Sequence, residues 1–421
     1  MRILLSAYYC SPYRGGESAV GWNVAARLAK NHEVTVICGD LAGDSPTGKD
    51  IERCKREQDL PPGLEIQHLQ AEGLARTIHD LHVLPGLWFL YYEAYRRWQL
   101  QALELARRLH AEKPFDLVHH VTVIGFREPG YLWQLGIPFF WGPVSGAPMV
   151  PAPFLRDFGW KERFRWATRN FMNACQIRRG GRPARAVRAA RMVWTVGPED
   201  REVLSRWGAD TEPMLEGGTD VTAGLARIRQ RGPQEPLRIC WSGLFQGIKA
   251  LPVLLRAIAT LPPDRMVLEI LGDGPEAARW KSLASSLGLD AQIQWHGLVP
   301  RAKALEVMDR CHVLVHTSVK EATATVVMEA LERGMPVICH DACGMSTAIN
   351  DSCGIKVRLS DPATSEVEFR AALLSLLHDA ELLRKLSEGA RDRAWELQWD
   401  LKAARMNEVF LACACSEGPG A

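Results

Sequence analysis

Long apolar runs are missing from this sequence of 421 residues. No stretch approaches the roughly 18 uninterrupted apolar residues that a membrane-spanning helix needs. The apolar start of the chain is interrupted by Ser6 and by the Tyr8-Tyr9 pair, which leaves it too short for a signal peptide. We therefore expect a protein that does not span a membrane.

Cysteine motifs of metal and disulfide sites are also lacking. The 11 cysteines include no CxxC pair, and neither Cys339/Cys343 nor Cys413/Cys415 has a second pair at zinc spacing. Several other cysteines lie in apolar, strand-like runs, as small buried hydrophobic residues do. This usage predicts reduced thiols, no metal site and a cytoplasmic location.

The pattern G-x-G-x-x-G does not occur after the first predicted strand, which argues against a dinucleotide-binding oxidoreductase. In its place the sequence has Ser11-Pro-Tyr-Arg-Gly15-Gly16-Glu17, followed by a helical segment. Gly15 and Gly16 allow a ligand to approach the backbone closely, and a plain turn is the alternative.

What the sequence does contain is a regular alternation of short apolar runs with helical patterns. Apolar residues make up 47% and charged residues 24% of the chain, as in globular proteins, and the length allows two or three domains. This alternation predicts an α/β protein with two doubly wound, Rossmann-like domains facing each other across a cleft. The predicted strands are Ile3–Leu5, Val34–Ile37, Leu117–His119, Phe139–Trp141, Met192–Val196, Leu237–Trp241, Val267–Leu271, Ile293–Trp295, Val313–His316 and Val337–Cys339.

Proline and glycine mark the linker between the two halves, at Glu212–Gly218 and Arg231–Pro236. We expect an N-terminal Rossmann-like domain over residues 1–205 and a C-terminal Rossmann-like domain over residues 206–398. The last helix, within residues 399–421, is expected to pack back toward the N-terminal domain. Ligands of such folds usually bind at the carboxyl ends of the strands.

The strongest chemical signal is the segment from His316 to Pro336. A strand ends near His316, a short loop carries Glu321, and a helix is predicted to start near Thr323. The free N–H groups of a helix N-terminus suit a diphosphate. Glu329 lies about six residues into that helix, roughly 9 Å along it, which matches the reach from a diphosphate to ribose hydroxyls. The alternative is that both glutamates are solvated surface acids.

Together these motifs resemble retaining glycosyltransferase family 4, in its bacterial branch, over nearly the whole chain. The resemblance is carried, in order, by Gly243 with Lys249, Leu271-Gly-Asp-Gly-Pro275, His296-Gly297, Glu321…Glu329 and Gly334-Met-Pro-Val337. It implies a GT-B fold. It further implies transfer of a sugar from a nucleoside-diphosphate sugar to a hydroxyl acceptor, with retention at the anomeric carbon and without a metal or other cofactor.

The same resemblance assigns expected roles to individual residues. Lys249 would stabilise the departing diphosphate, and Glu321 would face the sugar. The donor would be held by Gly15, Gly16, Gly243, Gly297, Thr323, Ala324, Thr325, Val326 and Glu329. The chain departs from the family at Leu244, where an arginine is common, and at Ala250, where a glycine is usual. Two alternatives stay open: a nucleotide-sugar epimerase of the same fold, and a non-catalytic sugar-nucleotide-binding homologue.

Two adjacent histidines end a predicted buried strand of the first half. Family members place a cleft histidine two residues after the first of them, where this chain has Val121. His119 and His120 therefore both remain catalytic candidates. A buried structural histidine is the alternative for each.

A basic and aromatic stretch runs from Val150 to Trp194. Eleven basic residues there are opposed only by Asp157 and Glu162, and six aromatic side chains are interleaved with them. A second apolar face is formed by Leu87, Tyr91, Ala94, Tyr95 and Trp98. Helices of this kind lie on anionic membranes, although the aromatic residues can equally belong to the core. We expect peripheral contact with an anionic membrane, a polysaccharide or lipid-linked acceptor, and no nucleic acid.

Overall fold

A computed structural model of the chain describes residues 1–41, 45–57, 59–82, 84, 87, 90–221 and 226–416. The strands are β1 Arg2–Ser6, β2 Glu33–Asp40, β3 Leu64–Gln70, β4 Leu117–His120, β5 Phe139–Val144, β6 Ala190–Thr195, β7 Thr211–Pro213, β8 Leu237–Ser242, β9 Met266–Leu271, β10 Ile293–Gly297, β11 Val313–His316, β12 Val337–His340 and β13 Gly354–Val357. The helices are α1 Glu17–Leu28, α2 Pro46–Arg56, α3 Gly73–His82, α4 Leu90–Glu112, α5 Trp160–Arg179, α6 Gly181–Ala189, α7 Pro198–Arg206, α8 Leu251–Ile258, α9 Ala277–Ser286, α10 Arg301–Asp309, α11 Thr325–Glu332, α12 Cys343–Ala348, α13 Pro362–His378, α14 Ala380–Glu396 and α15 Trp399–Ser416.

The strands form two parallel sheets, one in each half of the chain. The first has the order β3-β2-β1-β4-β5-β6-β7 and the second the order β10-β9-β8-β11-β12-β13. In each sheet the order reverses once, between β1 and β4 and between β8 and β11. Ligands of doubly wound sheets bind at such reversals, outside the carboxyl ends of the strands. The predicted fold class is confirmed.

Three strands are absent from the sequence prediction, and all three lie at a sheet edge. They are β3, β7 and β13. The assignment of residues 212 and 213 to the linker is wrong, because Thr211–Pro213 pairs with β6 in parallel register. The first sheet thus extends beyond the expected domain boundary at residue 205.

The chain crosses between the two domains twice, and the two crossings are hydrogen-bonded to each other. The Thr219 amide donates to the Leu397 carbonyl (3.1 Å), and the Trp399 amide donates to the Thr219 carbonyl (3.3 Å). Beyond the second crossing, α15 returns to the N-terminal sheet. Its Phe410 packs against Phe140 and Trp194, with ring centroids 4.7 and 5.9 Å away.

The segment between β5 and α6 packs on the C-terminal domain although it follows a strand of the first sheet. Val150, Phe154 and Trp166 are buried in the same apolar cluster as the strands of the second sheet. An ion pair between Asp157 and Arg256 (2.8 Å) fixes the segment to α8. Helix α5 therefore bridges the two domains.

The apolar face of α4 is part of the core. Ala94, Tyr95 and Trp98 are fully buried, and the Trp98 indole N–H donates to the carbonyl of Leu69 (2.7 Å). The expectation that this face contacts a membrane is wrong, because β3 and its neighbours already cover it. Among the described residues, no helix combines the length and apolar character that crossing a bilayer requires.

Candidate active site

A cavity of about 410 Å³ lies between the domains, beside the carboxyl ends of both sheets. We call it the interdomain cavity. Its lining comes from the loops after β1, β4, β5, β8 and β11, from the N-terminal end of α4 and from the inner face of α5. It consists of Tyr9, Glu17, Tyr91, Tyr92, Val123, Ile124, Gly125, Arg127, Glu128, Ser145, Gly146, Pro148, Trp166, Arg169, Ile248, Lys320, Glu321 and Ala322.

Lys249 and Glu321 form an ion pair at the edge of this cavity. The Lys249 Nζ donates to Glu321 Oε2, and both side chains are mostly buried. The lysine backbone is held by a short chain of hydrogen bonds, because Thr317 donates to the Lys249 carbonyl (2.6 Å) and Trp241 donates to Thr317 (2.9 Å). Lys249, predicted to act on the phosphate, and Glu321, predicted to face the sugar, are thus in direct contact.

Two residues in the loops around the interdomain cavity have a strained backbone conformation. Ala250, directly after the lysine, has a φ of 47°, and Val123 in the cavity lining has a φ of 60°. L-residues pay about 1–2 kcal/mol in this left-handed region, and glycine pays little. This conformation gives a physical reason for the glycine that the family usually has where this chain has Ala250.

Helix α11 begins two residues later than predicted, at Thr325, with Ala324 as its N-terminal cap. Thr323 stands before the helix and pairs with the linker residue Glu216. The Thr323 amide donates to Glu216 Oε1, and the Glu216 amide donates to Thr323 Oγ1, both at 3.2 Å. Thr325 and Val326 are the first two residues of the helix. The Thr323 amide is already bonded to Glu216, so the predicted phosphate-binding amides that remain are those at the helix start.

Glu216 occupies the helix end where a diphosphate is expected. Burial raises its pKa to about 8, with the nearby charge of Glu17 adding to the effect. A raised pKa favours the protonated carboxyl, which does not repel a phosphate. Lys402 of α15 lies close by and donates to the carbonyls of Leu215 (2.6 Å), Glu216 (2.9 Å) and Gly217.

Glu329 lies in the second turn of α11 and is paired with Arg301 at the start of α10. The Arg301 Nε donates to Glu329 Oε1 at 2.6 Å. The glutamate side chain is 14% exposed, whereas the arginine side chain is 69% exposed. The carboxylate thus faces an exposed, solvated partner that a bound ligand can displace.

The four predicted glycines fall into two groups. Gly243 lies against the lysine, since a Cβ built there would stand 3.6 Å from Lys249 Cδ. Gly15, Gly16 and Gly297 have no heavy atom within 4 Å of such a Cβ, so space does not require glycine at these positions. Conformation does at Gly16, whose φ of 61° and ψ of −141° only glycine adopts readily.

His119 and His120 lie in the core of the N-terminal domain, and neither lines the interdomain cavity. His119 Nε2 is 2.7 Å from the Gly142 carbonyl, and His120 Nδ1 is 3.0 Å from Ser6 Oγ. Burial lowers the pKa of His119 to about 4 and that of His120 to about 3. Their placement in the core favours the structural alternative over a catalytic role in the cleft.

Comparison with known proteins agrees with this geometry. The family described as glycosyl transferases group 1 matches residues 226–393, which span most of the C-terminal domain. A D-inositol 3-phosphate glycosyltransferase of Streptomyces bingchenggensis is 27% identical over 97% of this chain and 89% of its own length. The C-terminal half of the chain thus matches the group 1 glycosyltransferases, and relatives named as glycosyltransferases align with nearly the whole chain. The family resemblance drawn from the sequence motifs is confirmed.

Solved structures of similar fold align with nearly the whole chain. Sucrose-phosphate synthase from Thermosynechococcus elongatus aligns with a TM-score of 0.64 at 18% identity, covering 99% of this chain and 100% of the other. The lipopolysaccharide outer core galactosyltransferase WaaB, in its apo form, aligns with a TM-score of 0.65 at 14% identity, covering 98% and 99%. At these identities the similarity establishes the GT-B fold alone.

The structure also brings residues to the site of this glycosyltransferase that the sequence analysis did not select. Glu17 closes one side of the cavity, where its carboxylate accepts from the Ile124 amide (3.1 Å) and burial raises its pKa. Lys320 crosses from the C-terminal domain to the carbonyls of Gly146 (3.5 Å) and Pro148. Its position directly before Glu321 in the sequence was the available signal for Lys320. Glu216 had none, since it lies in a glycine-rich linker.

Proposed function

We propose that this glycosyltransferase transfers a sugar from a nucleoside-diphosphate sugar to an acceptor hydroxyl with retention at the anomeric carbon. The observation that carries the proposal is the Lys249–Glu321 pair at the start of α11, with Glu329 one turn further along the helix. This order gives a cation for the diphosphate, a carboxylate for the sugar and a carboxylate for the ribose.

In this proposal the leaving diphosphate and the acceptor share one face of the donor sugar. The phosphate oxygen takes the proton of the acceptor hydroxyl as the new bond forms. Lys249 stabilises the negative charge that develops on the diphosphate, together with the amides at the start of α11. Glu321 releases the lysine on donor binding and accepts from sugar hydroxyls.

The interdomain cavity favours transfer over the alternatives from the same fold. It lies directly beside Glu321 and is walled mainly by the N-terminal domain. A nucleotide-sugar epimerase, or a homologue that only binds the donor, has no second substrate to place there. A volume of about 410 Å³ is enough for a saccharide-sized acceptor.

The product of the reaction should keep the anomeric configuration of the donor, and its rate should be unchanged in excess EDTA. The reason is that Lys249 and the helix amides supply the positive charge that a metal would supply elsewhere. Proton NMR of the product, in parallel reactions with EDTA and with added magnesium, measures both quantities. A product of inverted configuration, or activity that chelation abolishes and magnesium restores, contradicts the proposal.

We further propose that the acceptor is met at an anionic membrane, in polysaccharide or glycolipid assembly. Support comes from α5, where Trp160 is 76%, Phe164 73% and Phe171 70% exposed. These residues fall within about 40° of one another around the helix at 3.6 residues per turn, and we call them the α5 stripe. Both acids of the segment face the C-terminal domain: Asp157 pairs with Arg256, and Glu162 accepts from the Gly247 amide.

Exposed cations flank the α5 stripe, so membrane binding should be electrostatic and apolar together. Changing Lys161, Arg163, Arg165 and Arg178 together to Ser should weaken binding by about two to three orders of magnitude, at about 1 kcal/mol for each charge. Co-sedimentation with vesicles of equal parts phosphatidylcholine and phosphatidylglycerol, at low and high salt, measures the effect. Arg169 is left unchanged because it lines the cavity.

A matched variant removes the same number of exposed cations from the C-terminal domain, at Lys303, Arg358, Lys385 and Arg391. This control should bind the vesicles as the wild type does. Replacing Trp160, Phe164 and Phe171 by Ser should leave a weaker binding that high salt abolishes. If the wild type stays in the supernatant at all salt concentrations, the membrane proposal fails, and self-association through the α5 stripe becomes the explanation for its exposure.

A further inference from the structure

Three cationic side chains line the interdomain cavity, and each comes from a different element. Arg127 lies in the loop after β4, Arg169 on the inner face of α5, and Lys320 in the loop after β11. At 3.6 residues per turn, Arg169 lies about 180° around the helix from Trp160. Two domains thus direct positive charge into one enclosed space.

Within the described part of the chain, none of the three cations forms an ion pair with a carboxylate. Glu128 and Asp200 act on Arg127 and Lys320 only at longer range. Arg127 donates to the neutral amide of Gln176, Arg169 lies 5.2 Å above the ring of Trp166, and Lys320 donates to backbone carbonyls. Burial lowers the pKa of Arg127 to about 10 and that of Lys320 to about 8, and the mutual repulsion of the cations contributes to both.

The acidic residues that line the same cavity already have hydrogen-bond or ion-pair partners other than these three cations. Glu128 is almost fully buried and is held by Arg96 (2.9 Å) and Arg182. Glu321 is paired with Lys249 at the donor edge, and Glu17 accepts from a backbone amide. Among the described residues, the positive charge on the side of α5 therefore has no carboxylate in direct contact with it.

Buried charge without a partner is costly, and it persists at binding sites for the opposite charge. We infer that the acceptor carries a phosphate group, which Arg127, Arg169 and Lys320 bind while the acceptor hydroxyl faces Glu321. A phosphate monoester has a charge of about −1.5 to −2 at neutral pH and three acceptor oxygens, which suits three cations better than a single carboxylate does. This inference rests on the proposed transfer reaction and adds the class of its acceptor.

Titration calorimetry with inorganic phosphate and with pyrophosphate tests the inference. The donor site is first saturated with the nucleoside diphosphate that stabilises the enzyme most, so that only a second anion site is detected. Arg127→Gln, Arg169→Gln and Lys320→Met should each weaken binding of the second anion by about 10- to 100-fold, the range for one charged hydrogen bond. Arg163→Gln, on the outer side of the same helix, is the matched control and should have no effect.

The affinity for the nucleoside diphosphate itself, measured in the same variants, separates the two proposals. This affinity should stay within about twofold of the wild type. Loss of a single direct contact to the nucleotide, at about 1.4 kcal/mol, would instead lower it about tenfold. If it falls together with phosphate binding, the three cations belong to the donor site and the inference is wrong. If the wild type binds no nucleoside diphosphate, the proposed function fails, whatever the result with phosphate.

A last arm distinguishes a soluble phosphorylated acceptor from a lipid-linked one. Vesicles that contain a polyprenyl diphosphate are compared with plain phosphatidylcholine vesicles, using the wild type and Arg169→Gln. Tighter binding to the diphosphate vesicles that is lost in the variant assigns the phosphate to a lipid. Binding of inorganic phosphate without this difference assigns it to a soluble acceptor. Absence of any second anion site, with the thermal midpoints of all variants unchanged, overturns the inference.

Discussion

Lys249→Met should lower kcat by about 10²- to 10³-fold and raise the donor KM much less. Loss of one preorganised donor at a developing anion costs about 2.7–4 kcal/mol in other enzymes. Lys249 lies beside Glu321, with its backbone fixed by Thr317, so the charge needs no reorganisation when the diphosphate leaves. Steady-state kinetics over a range of donor concentrations separates the two parameters.

Lys303→Met is the matched control for this prediction. Lys303 lies on the same domain and, within the described residues, pairs with Glu306 on an exposed helix face, so its loss should leave both parameters unchanged. If Lys249→Met raises the donor KM and leaves kcat intact, the lysine binds ground state and transition state equally. Its role in stabilising the leaving group is then ruled out.

Glu329→Ala should weaken the binding of the free nucleoside diphosphate by about 100-fold. Each hydrogen bond from a ribose hydroxyl to the carboxylate contributes about 1.5 kcal/mol or more, and two of them are lost together. Titration calorimetry with the nucleoside diphosphate measures the change directly. Unchanged affinity in a folded variant removes Glu329 from the donor site.

Two further variants sharpen the result for Glu329. Arg301→Ala frees the carboxylate from its partner in the unliganded enzyme and should not weaken nucleotide binding. Glu306→Ala removes a carboxylate from the exposed face of the neighbouring helix and serves as the matched control. A loss with Arg301→Ala as large as that with Glu329→Ala would instead mean that the ion pair itself holds the nucleotide.

The central strands of both sheets were predictable from sequence, whereas three of the four edge strands, β3, β7 and β13, were not. Central parallel strands are buried on both faces and therefore appear as continuous apolar runs, as in β1 and β11. β3 has the sequence Leu-Glu-Ile-Gln-His-Leu-Gln, and its polar residues obscure the run. β7 and β13 are short and lie at edges, where fewer neighbours require apolar side chains.

Site residues that belong to local sequence motifs were predictable, and those that reach the site from distant parts of the chain were not. Lys249, Glu321 and Glu329 stand at fixed places after strands, so local motifs locate them. Glu216 reaches α11 from the linker, and Arg169 reaches the cavity from a helix that packs on the other domain. Contacts of this kind depend on how the two domains meet, which spacing along the chain does not encode.

The paired crossings at Thr219 make the junction between the domains a hinge. Two hydrogen-bonded segments at one place resist sliding and separation there, and they define a line about which the domains can rotate. Lys320 spans the cleft to Gly146 and Pro148, and every opening must break these contacts. A substrate or product that passes only when the cleft opens would therefore leave at a rate that depends in part on one lysine side chain.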